Sequence, residues 1–143
     1  MEDDTIRLLR ECNAGIKMGV STLDDVMEHV QSESLRNLLA ASKETHTKLG
    51  NRTHEYLKEY HDEGKEPAAM AKMMSKLKTN MKLDDEGPDS TAADLVTDGC
   101  NMGVKSLYRY LNQYPAAEEK VRKLAKDVAG AEETLVKDLR EFL

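Results

Sequence analysis

The chain has 143 residues, and 21 Lys and Arg set against 27 Asp and Glu leave a net charge of −6. That length suits one domain with a substantial core, and the acidic balance repels phosphate backbones, which argues against nucleic acid as a partner. Gly (8) and Pro (3) are few, Trp is absent and Phe occurs once, while the strong helix formers Ala, Leu, Lys, Glu and Met prevail. The composition therefore points to an all-α chain.

No apolar run approaches the ~20 residues of a membrane span. Met1-Glu2-Asp3-Asp4 is acidic where a signal peptide would be basic and then apolar. A soluble, cytoplasmic protein is expected, with no membrane partner and with Cys12 and Cys100 as reduced thiols. The one basic cluster, Lys72, Lys76, Lys78 and Lys82, runs straight into Asp84-Asp85-Glu86, so it offers no sustained surface for phosphates.

The spacing predicts a first helix from about Thr5 to Val30. Its apolar positions, Ile6, Leu9, Cys12, Ile16, Val20, Leu23, Val26/Met27 and Val30, alternate three and four apart and form one stripe. Gln31-Ser32-Glu33-Ser34 is a polar break with Ser available as an N-cap. A second helix follows to about Tyr60, with Leu35, Leu38/Leu39, Ser42, His46, Leu49, Thr53, Tyr56 and Tyr60 on its stripe.

The connection over 61–90 is too long to be structureless in a compact domain. Pro67 suits a first helical turn. Met70, Met73, Met74, Leu77 and Met81 then share a face, so a short crossover helix is expected over Pro67–Lys82. Asp84 to Ser90 reads as a loop. A third helix is expected from about Thr91 to Tyr114. After Pro115, a fourth runs from about Ala116 to the C-terminus, with Val121, Leu124, Val128, Leu135, Leu139 and Phe142 on its stripe.

The two halves resemble each other. Cys12-Asn13-Ala14-Gly15-Ile16-Lys17 matches Cys100-Asn101-Met102-Gly103-Val104-Lys105, and Leu23 matches Leu111. After a two-residue gap, Leu35-Arg36-Asn37-Leu38 matches Val121-Arg122-Lys123-Leu124, Leu49 matches Leu135, and Glu55-Tyr56-Leu57 matches Glu141-Phe142-Leu143. The chain thus reads as a single domain over 1–143: one hairpin over about 5–60, a crossover over about 61–90, and a second hairpin over about 91–143. A link of this length can travel the length of a bundle rather than turn back at one end.

With this layout the chain resembles the ferritin-like superfamily and, within it, a bacterial family of unknown function with the same hairpin, crossover and hairpin. The resemblance spans Ile6 to Leu143 and rests on layout and on weak helical patterns such as Asp94 to Tyr110. It implies a fold: a ferritin-like four-helix bundle of two repeated helical hairpins, joined by a long crossover containing a short helix.

The superfamily's di-iron chemistry departs at this point. Such sites take a Glu from each of two helices and a Glu-x-x-His from each of the other two, because residues three apart share a face. Here the residue three before His29 is Val26, before His46 Lys43, before His54 Asn51 and before His61 Lys58. The second half has no histidine. No Gly-rich phosphate loop, nucleotide fingerprint or Cys-x-x-Cys is present.

Eight residues carry what chemistry the sequence offers as binding candidates. Cys12 and Cys100 occupy equivalent stripe positions and read first as small core hydrophobes, with a dithiol or soft-metal pair as the alternative. Asn13 and Asn101 place an amide beside the core and need a partner. Gly15 and Gly103, each in a Gly-x-x-x-Gly pair with Gly19 or Gly99, ask for close packing, room for a neighbour's side chain, or a small cavity. His46 aligns with Glu132, and the two could hold each other or a metal, although the bland reading is a satisfied core or edge residue.

The preferred expectation is a non-enzymatic structural or protein-interaction module, a homo-oligomer or a binder of another protein, with no catalytic residues, metal or cofactor. The alternative is a metal- or cofactor-binding, redox-active bundle with non-standard ligands among Cys12, Cys100, His46 and Glu132. A small-ligand carrier built on the glycine strip comes third.

Overall fold

The computed structural model describes residues 3–62 and 87–143. Four long α-helices and no strand occur among the described residues: α1 (Asp4–Met27), α2 (Glu33–Glu59), α3 (Pro88–Gln113) and α4 (Glu119–Leu139), the last followed by a 3₁₀ turn, Arg140–Phe142. The crossover helix expected over Pro67–Lys82, with its methionine face, lies outside the described residues.

Each start has a local cause. The Asp3 carboxylate accepts from the Thr5 N–H at 2.9 Å, and the Ser32 hydroxyl accepts from the Leu35 N–H at 3.2 Å, so both helices of the first hairpin carry side-chain N-caps. Helix α3 begins three residues earlier than the spacing predicts. Pro88 occupies its first turn, where a missing N–H costs nothing, and Gly87 leads in at φ +113°, a conformation only glycine adopts freely. Helix α1 stops at Met27 instead of Val30, and Val30 packs into the core from the turn.

Helix directions follow from the contacts at the two ends. The Asp89 carboxylate, in the first turn of α3, accepts from the Gln31 and Ser32 N–H groups at 2.6 and 3.0 Å. So α3 starts at the end where α1 turns into α2. At the opposite end Arg10 of α1 pairs with Asp62 at 2.6 Å. There the Asp4 carboxylate accepts from the Ala116 N–H, and the Thr5 hydroxyl from the Glu118 N–H, at 3.0 and 2.9 Å. The four helices therefore run up, down, down and up, with Asp62 and Gly87 at opposite ends. Each hairpin's turn is capped by side chains from the first turn of the other hairpin.

Helix α1 packs most extensively on α2, and α3 on α4. The hairpins then join through α1 against α3 and α2 against α4. The apolar core divides into two clusters. One, at the Asp62 end, contains Leu8, Leu9, Cys12, Ile16, Leu57, Leu107, Leu111, Val121, Leu124 and Val128. The other, at the Gly87 end, contains Leu23, Val26, Leu35, Leu39, Val96, Cys100, Leu135 and Leu139.

Candidate functional site

Between the two clusters lies a polar layer. His46 is the midpoint of α2, and Leu39 of one cluster and Leu49 at the edge of the other bracket it. Glu132 lies on α4 between Ala129 and Leu135, which belong to different clusters. His46 is 1% exposed and Glu132 6%, and His46 Nε2 stands 4.0 Å from Glu132 Oε1. That separation is a charge contact and too long for a hydrogen bond. On its other side the His46 ring bonds along its own helix, with Nδ1 2.8 Å from the Ser42 carbonyl oxygen. A proton on Nδ1 satisfies that carbonyl and turns Nε2 towards the carboxylate.

Glycines make room for both side chains. A Cβ on Gly19 would lie 3.0 Å from His46 Cδ2. A Cβ on Gly103 would lie 2.9 Å from Glu132 Oε1 and closer still to Oε2. By contrast, a Cβ on Gly15 or Gly99 would meet nothing within 4 Å. Among the glycines of the two Gly-x-x-x-Gly pairs, one in each hairpin is therefore committed to the polar layer.

Burial disfavours charge on both groups, and the two respond differently. Burial alone would lower the His46 pKa, but the neighbouring Glu132 and the Ser42 carbonyl outweigh it, so His46 holds its proton more tightly than a free imidazole. Glu132 is pushed up by burial more than His46 pulls it down. Its Oε2 is buried with no hydrogen-bond partner. Each group therefore holds its proton more firmly than it would in water, and the two titrations are coupled.

The cysteines do not join this site as a pair. Cys12 lies in one cluster and Cys100 in the other. Burial pushes both thiols up to about 12, with Glu11 adding to the effect at Cys12 and Glu132 at Cys100. Protonated thiols are poor nucleophiles and poor metal ligands. Asn13 is buried and not left without a partner, whereas Asn101, its sequence equivalent, faces solvent. Among the described residues no three His, Cys, Asp or Glu side chains converge to hold a metal ion. His46 and Glu132 supply two donors, well short of the four carboxylates and two imidazoles of a di-iron bundle.

The sequence pattern left a second feature unread. Met102 is 50% exposed and Tyr108 46% exposed, both on the outward side of α3 away from the core stripe. Asp94, Asp98, Asn101, Lys105, Arg109 and Asn112 are exposed around them. Helical periodicity marks Met102 as off-stripe, which was the available signal.

No helix among the described residues is long and apolar enough to cross a membrane. No protein-family model matches the chain, and no curated protein matches it. Among solved structures, the chain is similar to the crystal structure of a DUF305 fragment from Deinococcus radiodurans, at a TM-score of 0.77 and 13% identity, covering 98% of this chain and 95% of that one. At that identity the likeness concerns the fold alone, and what the two share is an all-helical four-helix architecture of unknown function.

Proposed function

We propose that this chain is a non-enzymatic, ferritin-like helical module that works through contact with protein, in the first place with copies of itself. The up, down, down, up order and the reciprocal capping of the hairpins support the ferritin-like reading and the duplication of one hairpin. The observation that carries the functional reading is where reactive and sticky groups lie. Among the described residues the ionisable pair of the interior, His46 and Glu132, is shut away from any substrate at 1% and 6% exposure, while Met102 and Tyr108 stand half in water. Two large side chains, Met102 and Tyr108, left half in water on the outward side of one helix favour contact with protein. An acidic surface with a net charge of −6 fits a protein that stays dissolved while it associates.

Size-exclusion chromatography with light scattering tests this. Wild-type chain is expected to run as an oligomer at high concentration, and Met102→Glu with Tyr108→Glu is expected to shift it to monomer without loss of helix content. A wild type that is monomeric at every concentration would remove the self-association reading.

A further inference from the structure

The outward face of α3 carries more than two apolar side chains. At 3.6 residues per turn, Asp94, Asp98, Lys105 and Arg109 fall within an arc of about 60°, and all four are exposed. Met102 and Tyr108 flank that stripe on either side. The charges are ordered: two acids in the N-terminal half of the helix, two bases in the C-terminal half. Within the chain this order is unfavourable. Asp94 and Asp98 are like charges four apart, and so are Lys105 and Arg109, spacings at which like charges repel on a helix. None of the four forms an ion pair with another described residue. The helix dipole does not account for them, since its effect fades beyond the first and last turns and all four lie inside those turns of Pro88–Gln113.

A second α3 laid antiparallel resolves the arrangement. The acids are four apart and the bases are four apart, so one register aligns both sets. The geometry points to the outward face of α3 as the contact surface with a second copy of this chain, packed antiparallel about a two-fold axis between Asn101 and Met102. In that register Asp98 faces the partner's Lys105 and Asp94 faces the partner's Arg109. Symmetry makes these four ion pairs. Met102 lies beside the axis and meets its own copy, and Tyr108 covers the flank. The same patch serves both subunits, as a two-fold interface requires. A parallel second copy would set acids against acids, so the charge order also selects the direction.

This inference rests on the self-association reading above, and it names the face and the register. A single helix pair makes an interface at the small end of the stable range, so the dimer is concentration-dependent. Its exposed ion pairs weaken as salt screens them.

Sedimentation velocity on the full chain, at low and at high salt, provides the test, with helix content checked by circular dichroism. Wild type is expected to dimerise, less so at high salt. Asp98→Lys sets Lys against Lys105 twice and is expected to weaken the dimer at least about tenfold. Asp98→Lys combined with Lys105→Asp restores opposite charges across the axis and is expected to recover it. If wild type dimerises and Asp98→Lys dimerises equally well, the α3 face is overturned while self-association stands on another surface. If Asp98→Lys weakens the dimer and the double swap fails to recover it, the antiparallel register is overturned. A strictly monomeric wild type overturns both readings, and a partner other than a second copy would then have to claim this face.

Discussion

His46 and Glu132 bury two ionisable groups in the middle of a mainly apolar bundle. Removing one member leaves the other without its counter-charge, which typically costs about 3–5 kcal/mol, whereas replacing both with apolar residues of similar size is neutral or stabilising by about 1–4 kcal/mol. His46→Leu is therefore expected to lower the unfolding free energy sharply, and His46→Leu with Glu132→Leu to restore or exceed it. Denaturant titration of both variants measures this. The pH dependence has a definite sign. Glu132 has a folded pKa above the ordinary 4.5, so its contribution is full below that pH and is lost as pH rises through the raised value. His46 has a folded pKa above the ordinary 6.5, so its contribution is full below 6.5 and lost as pH rises past its folded value. Cys100, whose thiol burial and Glu132 push up to about 12, stays protonated through both windows. Stability is expected to fall as pH rises through the two windows, and the double Leu variant is expected to flatten that slope.

The glycines give a control within the same chain. Gly15→Ala meets open space and is expected to stabilise the protein by about 0.5–1 kcal/mol through helix propensity. Gly103→Ala pushes the end of the Glu132 side chain out of its place beside His46 and is expected to gain less than Gly15→Ala despite the same propensity gain. At this scale the sequence shows that positions 46 and 132 correspond, because the two stripes align, but not that they meet. Residues at mid-height of two helices stay level whichever way each helix runs, but that α2 and α4 are neighbours, so that His46 meets Glu132, needs the three-dimensional order. Asn13 and Asn101 show the same limit from another side. Equivalent positions at the border of a stripe end up buried or exposed according to a small rotation of the helix.

Hydrophobic spacing made all four helices legible, because each is long and one-sided. Their ends were less so. Helix α3 starts at Pro88 rather than near Thr91, since proline is at home in a first turn, and α4 starts at Glu119, not Ala116, after the turn that Asp4 and Thr5 hold. No local pattern reveals these long-range caps, because a carboxylate at a helix start looks like that helix's own cap. Asp89 carries the clearest case, accepting two backbone N–H groups from the turn of the other hairpin. Asp89→Ala is expected to cost about 1–2 kcal/mol, and Asp89→Asn less, measured by thermal or denaturant unfolding. Two further ties reach between hairpins along α2 and α4: Arg52 to Asp127 at 2.8 Å, and Lys120 to Glu59. Both are partly exposed and contribute little beyond orientation.

Over the whole molecule, composition and periodicity led to an all-helical four-helix bundle, and the structure has that architecture. What composition could not supply is which large side chains stay outside the core, because that is settled only when the helices are docked. Once docked, the core accounts for the stripes and the polar layer accounts for Gly19, Gly103, His46 and Glu132. Met102, Tyr108 and Leu143 remain outside, the first two amid the ordered charges of α3. Association through the surface is the proposal on which the functional reading stands. Sedimentation equilibrium of the untagged chain, from dilute to concentrated solution, tests it most directly. The average mass is expected to rise above the 16.1 kDa of one chain as concentration increases. A mass fixed at 16.1 kDa throughout would contradict it.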